Sequence, residues 1–299
     1  MNTKPISRRS LLKIASASAA AALLMAACRP AAAPVAPVAQ PVAPAAPAIP
    51  VVDLMLAEYA FTLPQKVPAG LITVNVMNHG KEIHFAAASR LSKEVSLDDI
   101  KKALDSPTPP DFIDQTQGFF AGIYTPGVLQ QVTVKLAPGK YFVGCWVPSP
   151  DGQPHAVKGM MGIFEVVANT GEQPAEPVAD LVITTKKDGV DFPKTISAGK
   201  HIWKVVNESG NSEAGGVNVV QLVSGKTLED AKKSFEKADM SAIAGAYGGI
   251  GAPGSNAAWM TVDLKPGDYV LDTQLPDPKA PPPSQDQQPK TISIPFTVK

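Results

Sequence analysis

This chain of 299 residues repeats itself, and a repeat constrains the fold more than any single motif in it. Val74 to Gly80 reads V-N-V-M-N-H-G, followed by R-L-S-K-E-V-S-L-D-D-I-K-K-A-L from Arg90 to Leu104 and V-T-V-K-L-A-P-G-K-Y-F-V from Val132 to Val143. Further on, W-K-V-V-N-E-S-G (Trp203 to Gly210), Q-L-V-S-G-K-T-L-E-D-A-K-K-S-F (Gln221 to Phe235) and M-T-V-D-L-K-P-G-D-Y-V-L (Met260 to Leu271) return in the same order. The agreement predicts a tandem duplication, with units at 51–168 and 178–299 and a linker at 169–177 around T-G-E-Q-P-A-E-P.

Within each unit the apolar residues alternate. V-T-V-K-L and Y-F-V-G-C, separated by A-P-G-K, read as antiparallel strands joined by a tight turn, where Pro sets φ and Gly permits a positive one. One helix per unit is expected, starting at Ser96 and at Thr227, each followed three residues later by an acid, Asp99 and Asp230. The run G-A-Y-G-G-I-G-A-P-G (Gly245 to Gly254) is expected to connect helix and strand; it lacks the Lys of a phosphate-binding loop. The predicted class is all-β, two small Greek-key sandwiches in series, each with one short inserted helix.

The N-terminus predicts an address outside the cytoplasm. Arg8 and Arg9 precede an uncharged apolar run, Ile14 to Ala27, too short to span a bilayer, and Cys28 follows in L-M-A-A-C. The pair resembles a twin-arginine export signal and the cysteine a lipobox, so residues 1–28 are read as a signal and Cys28 as the lipidated first residue of the mature chain. Residues 29–50, almost wholly Ala, Pro and Val, are expected to be an extended tether. The expected location is the outer face of the cytoplasmic membrane, held there by lipid. Small residues before an incidental cysteine could also serve as an ordinary peptidase site.

Twenty-seven basic and 27 acidic residues balance, and no basic cluster follows the signal, so nucleic acid is not an expected partner. With G-x-S-x-G, H-E-x-x-H and C-x-x-C all absent and only His79, His84, His155 and His201 available, hydrolytic chemistry has little to work with. What remains is Cys145, the second of two cysteines, in C-W-V-P-S-P-D-G-Q-P-H-A-V-K-G-M-M. If Cys28 is lipidated, Cys145 has no partner within the chain, and a lone thiol outside the cytoplasm should be buried or metal-bound.

A strand ending in N-x-G (Asn78, Gly80) with His84 just after it, then L-x-P-G-x-Y-x-x-x-C (Leu136 to Cys145), then H-x-x-x-G-M (His155 to Met160), resembles the cupredoxin pattern across the whole first unit. The resemblance implies a β-sandwich holding one copper, with His84, Cys145 and His155 as ligands in a plane and Met160 as a weak axial ligand. Two imidazoles, a thiolate and a thioether suit copper in both oxidation states. The family usually spaces its loop C-x2-H or C-x4-H, whereas this chain has C-x9-H, with P-S-P-D-G-Q-P inserted. That insertion could return His155 to the site or leave it in solvent. In the second unit the aligned positions are Gly215, Thr273, about Gln287 and Ile292, none a copper ligand. Two functions follow: a membrane-tethered electron carrier, not an enzyme, working with a redox partner protein at the membrane surface; or a copper-free docking lipoprotein. Each ligand has a plainer role open to it, as core thiol, loop histidine or packing methionine, and His79 reads as a turn residue.

Overall fold

In the computed structural model, strand β1 (Val51–Ala57) turns through Glu58 and Tyr59 into β2 (Ala60–Thr62), and β3 (Lys66–Pro68) precedes the long β4 (Gly70–Asn78). β5 (His84–Leu91), helix α1 (Leu97–Leu104), β6 (Ile113–Tyr124), β7 (Leu129–Leu136), β8 (Gly139–Gly144) and β9 (Met161–Val167) complete the first half. The second half contains β10 (Leu181–Lys186), β11 (Gly189–Val190), β12 (Thr195–Ile196), β13 (Gly199–Asn207) and β14 (Val217–Leu222). Helix α2 (Leu228–Glu236), β15 (Ile243–Gly251), β16 (Ala257–Leu264), β17 (Gly267–Leu275) and β18 (Lys290–Val298) follow. The structure describes residues 47–104, 110–209, 215–236, 240–251, 257–275 and 290–299. The export signal and Cys28, with Arg8 and Arg9, lie outside the described residues.

The fold is all-β with one short helix in each half, as the alternation predicts. Both helices start where expected, and for the expected reason. Ser96 Oγ accepts the Asp99 amide at 3.1 Å while Asp99 Oδ2 accepts the Ser96 amide at 3.1 Å, and Thr227 and Asp230 exchange the same pair at 3.2 and 2.8 Å.

The strands form two sheets, in the orders β11-β10-β13-β16-β7-β4-β1-β2 and β12-β18-β17-β14-β15-β6-β5-β8-β9-β3. Each sheet therefore runs through both halves, which meet where β7 pairs with β16 and β6 with β15. Val74, Val76, Val132 and Val134 from one sheet and Ala86, Ala88, Tyr141 and Phe164 from the other belong to one buried core.

Two local expectations are corrected. β7 and β8 are not a hairpin: β7 pairs with β4 and β16, β8 with β5 and β9. The A-P-G-K segment is an arch that carries the chain from one sheet to the other, tied by Tyr141, whose hydroxyl donates to the carbonyl of Ala137 at 2.9 Å. The same arch recurs between β16 and β17, with Tyr269 donating to Lys265 O at 2.9 Å. Alternation could not reveal this, because adjacent strands alternate whether they share a sheet or face each other across a core. The glycine-rich run is likewise not a connection: as far as Gly251 it is strand β15. Its glycines answer to crowding on both sides of β15, at the seam with β6 and against β14. A methyl group at Gly122 would lie 2.4 Å from the amide nitrogen of Gly249, and one at Gly249 would lie 1.9 Å from Val217 O.

Candidate metal centre

Cys145 stands one residue beyond β8, and Met160 one residue before β9. Because those strands pair, the ends of the long loop are tied together, with the Cys145 amide donating to Met160 O at 3.2 Å. The inserted P-S-P-D-G-Q-P stretch folds as a tight excursion. Pro148 and Pro154 form an antiparallel bridge, the Ser149 amide donates to Gln153 O at 2.8 Å, and the Gly152 amide donates to Ser149 O at 2.7 Å. At its stem the His155 amide donates to Val147 O at 2.9 Å and the Ala156 amide to Cys145 O at 2.7 Å. The insertion therefore closes on itself and returns His155 beside Cys145 instead of releasing it to solvent. A final turn, with the Met160 amide on His155 O at 2.9 Å, leads into β9.

His84 is the first residue of β5, which pairs with β8 through Ala87 and Gly144. That register sets His84 over Cys145. Ligand atoms of His84, Cys145 and His155 lie within 4.8 Å of one another, and all three residues are fully buried. His84 Nδ1 is 3.0 Å from His155 Nδ1, and Cys145 Sγ is 3.6 Å from His155 Nδ1.

These separations suit a shared metal. Two nitrogens about 2.0 Å from one ion and about 100° apart around it stand about 3 Å from each other, and a sulfur at about 2.3 Å with a nitrogen at about 2.0 Å, about 115° apart, stand about 3.6 Å apart. Protonation argues the same way. His155 Nε2 is 2.8 Å from Glu82 Oε2, so that nitrogen carries the proton and Nδ1 is left as an acceptor. With His155 uncharged and no ion present, His84 donates from Nδ1, which turns a bare Nε2 toward Glu58 Oε1 at 3.8 Å; that Nε2 is buried with no hydrogen-bond partner. A cation taking both Nδ1 atoms removes the conflict, because each ring can then carry its proton on Nε2, facing a carboxylate.

Burial shifts the pKa values of His84 and Cys145 in opposite directions. Burial, aided by the nearby His155, lowers the pKa of His84 to about 4, so its imidazole stays neutral. Burial raises the pKa of the Cys145 thiol, opposed by amide hydrogen bonds from Phe85 and Val147. Burial acts to raise Glu58 as well, but the amides of Lys81 and Glu82 outweigh it and hold that carboxyl below its ordinary range.

Met160 is fully buried and is joined to Cys145 and His155 through its backbone. His79 is exposed at the turn after β4, its amide donating to Leu56 O, and stands apart from the cluster, as expected for a turn residue. His201 bonds Asp180 and the carbonyl of Ser197. In the second half Val217 pairs with Thr273 in β17, and the Thr273 hydroxyl donates to Gly216 O at 2.7 Å. The position of Gln287 lies outside the described residues.

Three residues around the site escape sequence reasoning: Glu58, Tyr59 and Glu82. Glu58 and Tyr59 belong to the β1–β2 turn, remote in sequence from every ligand. Glu82 had one usable signal, its place two residues before His84 in N-H-G-K-E-I-H. Asn78 Oδ1 accepts the Gly80 amide at 2.8 Å, and Asn78 Nδ2 donates to Glu82 O at 2.8 Å and Tyr124 O at 2.9 Å. The N-x-G motif is thus the clasp of the loop that carries His84.

No family model matches this chain, and no curated protein matches it. Among solved structures it is similar to a dithionite-reduced auracyanin from the photosynthetic bacterium Roseiflexus castenholzii, at 23% identity over 40% of this chain and 99% of that one, with a TM-score of 0.29. A multicopper oxidase aligns at 14% identity over 83% and 88% of the two chains, TM-score 0.25. The copper nitrite reductase of Nitrosomonas europaea aligns at 11% over 75% and 87%, TM-score 0.24. The fold described above rests on its own strand order.

Proposed function

We propose that this protein is a cupredoxin-like electron carrier, formed by duplication of one sandwich, that binds one copper through His84, Cys145 and His155 with Met160 as a weak axial donor. The observation that carries the reading is the meeting of two imidazole Nδ1 atoms and one thiol sulfur in a fully buried pocket. A soft thiolate with two imidazoles favours copper among biological metals, and copper so bound supplies a one-electron couple. The chain's own part is to hold those donors still and dry. Backbone bonds at both ends of the loop and the pairing of β5 on β8 resist movement of any donor between oxidation states. Such an arrangement favours electron transfer over catalysis, which needs open coordination positions.

The partner is a redox protein at the outer face of the membrane, and export through Arg8 and Arg9 with lipid on Cys28 would bring the carrier there. Labelled fatty acid should enter the parent and not Cys28→Ala; equal labelling of the two would remove the anchor from the proposal.

The central test is titration of the metal-free protein with copper. One equivalent should give an intense thiolate-to-copper absorption in the visible, and Cys145→Ser should lose it, since a hydroxyl is a poor copper donor. A colourless protein, or one that takes up zinc but no copper, overturns the reading and leaves the docking lipoprotein in its place.

A further inference from the structure

Each imidazole at the centre faces a carboxylate across its remote nitrogen, and the two carboxylates are not equivalent. Glu82 Oε2 lies within hydrogen-bond reach of His155 Nε2, at 2.8 Å. Glu58 Oε1 is 3.8 Å from His84 Nε2 and is occupied by the backbone amides of Lys81 and, at 3.0 Å, Glu82. Glu58 therefore grips the segment that carries Glu82, while Asn78 holds the Glu82 carbonyl from the other side. Tyr59 completes the grip: its hydroxyl donates to Glu82 Oε1 at 3.2 Å and its ring stands edge-on to His155, centroids 5.1 Å apart. To do so Tyr59 adopts a φ of 60°, the one positive φ at a non-glycine residue among those described. Lys158 covers the outer face of that ring, 4.7 Å from its centroid. The side chain of Glu82 is left 25% exposed.

We propose that Glu82, held by Glu58, Tyr59 and Asn78, is a positioning residue of the metal centre that sets the tautomer of His155 and lowers the reduction potential of the bound metal. The inference rests on the copper reading for its redox part and on the hydrogen-bond geometry alone for its tautomer part. By accepting the Nε2 proton, the carboxylate leaves the Nδ1 lone pair free for an ion. Its charge makes the imidazole a stronger donor, and the stronger donor stabilises the higher oxidation state more than the lower.

Two substitutions separate charge from hydrogen bonding. Glu82→Gln keeps an acceptor for the Nε2 proton but removes the charge. It should still take up copper, with the Cu(II) to Cu(I) affinity ratio reduced about tenfold, a rise in potential of about 59 mV. Glu82→Leu removes both and should also cost about 10- to 100-fold in metal affinity. Glu176→Gln removes the same charge from the linker, where Glu176 pairs with Lys204 of the second half, and should leave the potential unchanged. Nitrogen NMR of the metal-free protein supplies the second readout. His155 should be protonated at Nε2 in the parent and in Glu82→Gln, and should mix tautomers in Glu82→Leu. A potential in Glu82→Gln equal to that of the parent overturns the redox part, and a parent His155 protonated at Nδ1 overturns the whole. If the parent takes up no copper, the copper reading fails by itself and the NMR result still decides the tautomer.

Discussion

A methyl group on Gly80 would lie 2.6 Å from Glu58 Oε1 and 2.7 Å from His84 Nε2, closer than real side-chain carbons approach such atoms. Gly80→Ala must therefore displace either the carboxylate that fixes the loop or the imidazole itself. The expected result is a loss of about 1–3 kcal/mol in stability, as for other overpacked sites, together with weaker metal uptake. Chemical denaturation and a copper titration measure the two effects, and parent-like values in both would mean that the loop yields more easily than its bonds suggest. At this scale the sequence was partly legible. Cys145 stood out because cysteine is scarce in this chain, His84 and His155 were implied with it by the resemblance in motif order, and the structure brings those three together. Glu58 did not, because a surface-compatible acid carries no mark of what it will face once the chain has folded, and Glu82 offered only its place two residues before His84.

Between elements, the tyrosine arches join the two sheets. Tyr141 is buried, with its hydroxyl on Ala137 O, and Phe at this position removes that bond while keeping the ring stacked on Phe164, at 5.4 Å between centroids. Tyr141→Phe should cost about 0.5–1.5 kcal/mol, the usual net worth of such a hydrogen bond. Tyr269→Phe, with Tyr269 stacked on Phe296, should cost more, because its hydroxyl also accepts the Lys265 amide at 3.1 Å; only Tyr141→Phe should also alter the copper spectrum, because β8 leads directly into Cys145. Thermal unfolding of both variants, followed by spectra of the copper forms, checks the pair. The sequence showed strands and turn here but not their destination, since A-P-G-K serves a hairpin and an arch equally well. The C-x9-H spacing was similarly mute. Only the bridge from Pro148 to Pro154 reveals that the added residues leave the distance between Cys145 and His155 short.

Across the whole molecule, the seam pairs β6 with β15 and β7 with β16, strands that hold corresponding positions in the orders of the two halves. A fragment of residues 51–168 would expose β6 and β7 as open edges, and such edges seek partners. Since the seam joins like to like, a second copy of the same fragment can substitute for the missing half. The fragment should therefore sediment as a dimer at micromolar concentration and bind one copper per chain; a stable monomer would show that the arches and core suffice without the seam. The two like successions of strands and helix were legible from the sequence, whereas the sharing of sheets was not, because backbone pairing at an edge leaves little trace in side-chain pattern. The seam also assigns work to a half that carries no counterpart of the ligands. Asn218 Oδ1 accepts the Ile123 amide across the boundary at 3.0 Å, beside the close approach of Gly122 and Gly249. The second half is a selvedge, finishing two raw margins of the first. Its tolerance to substitution should accordingly be low along that hem, at Asn218 and Gly249, as deep mutational scanning of folded yield would show.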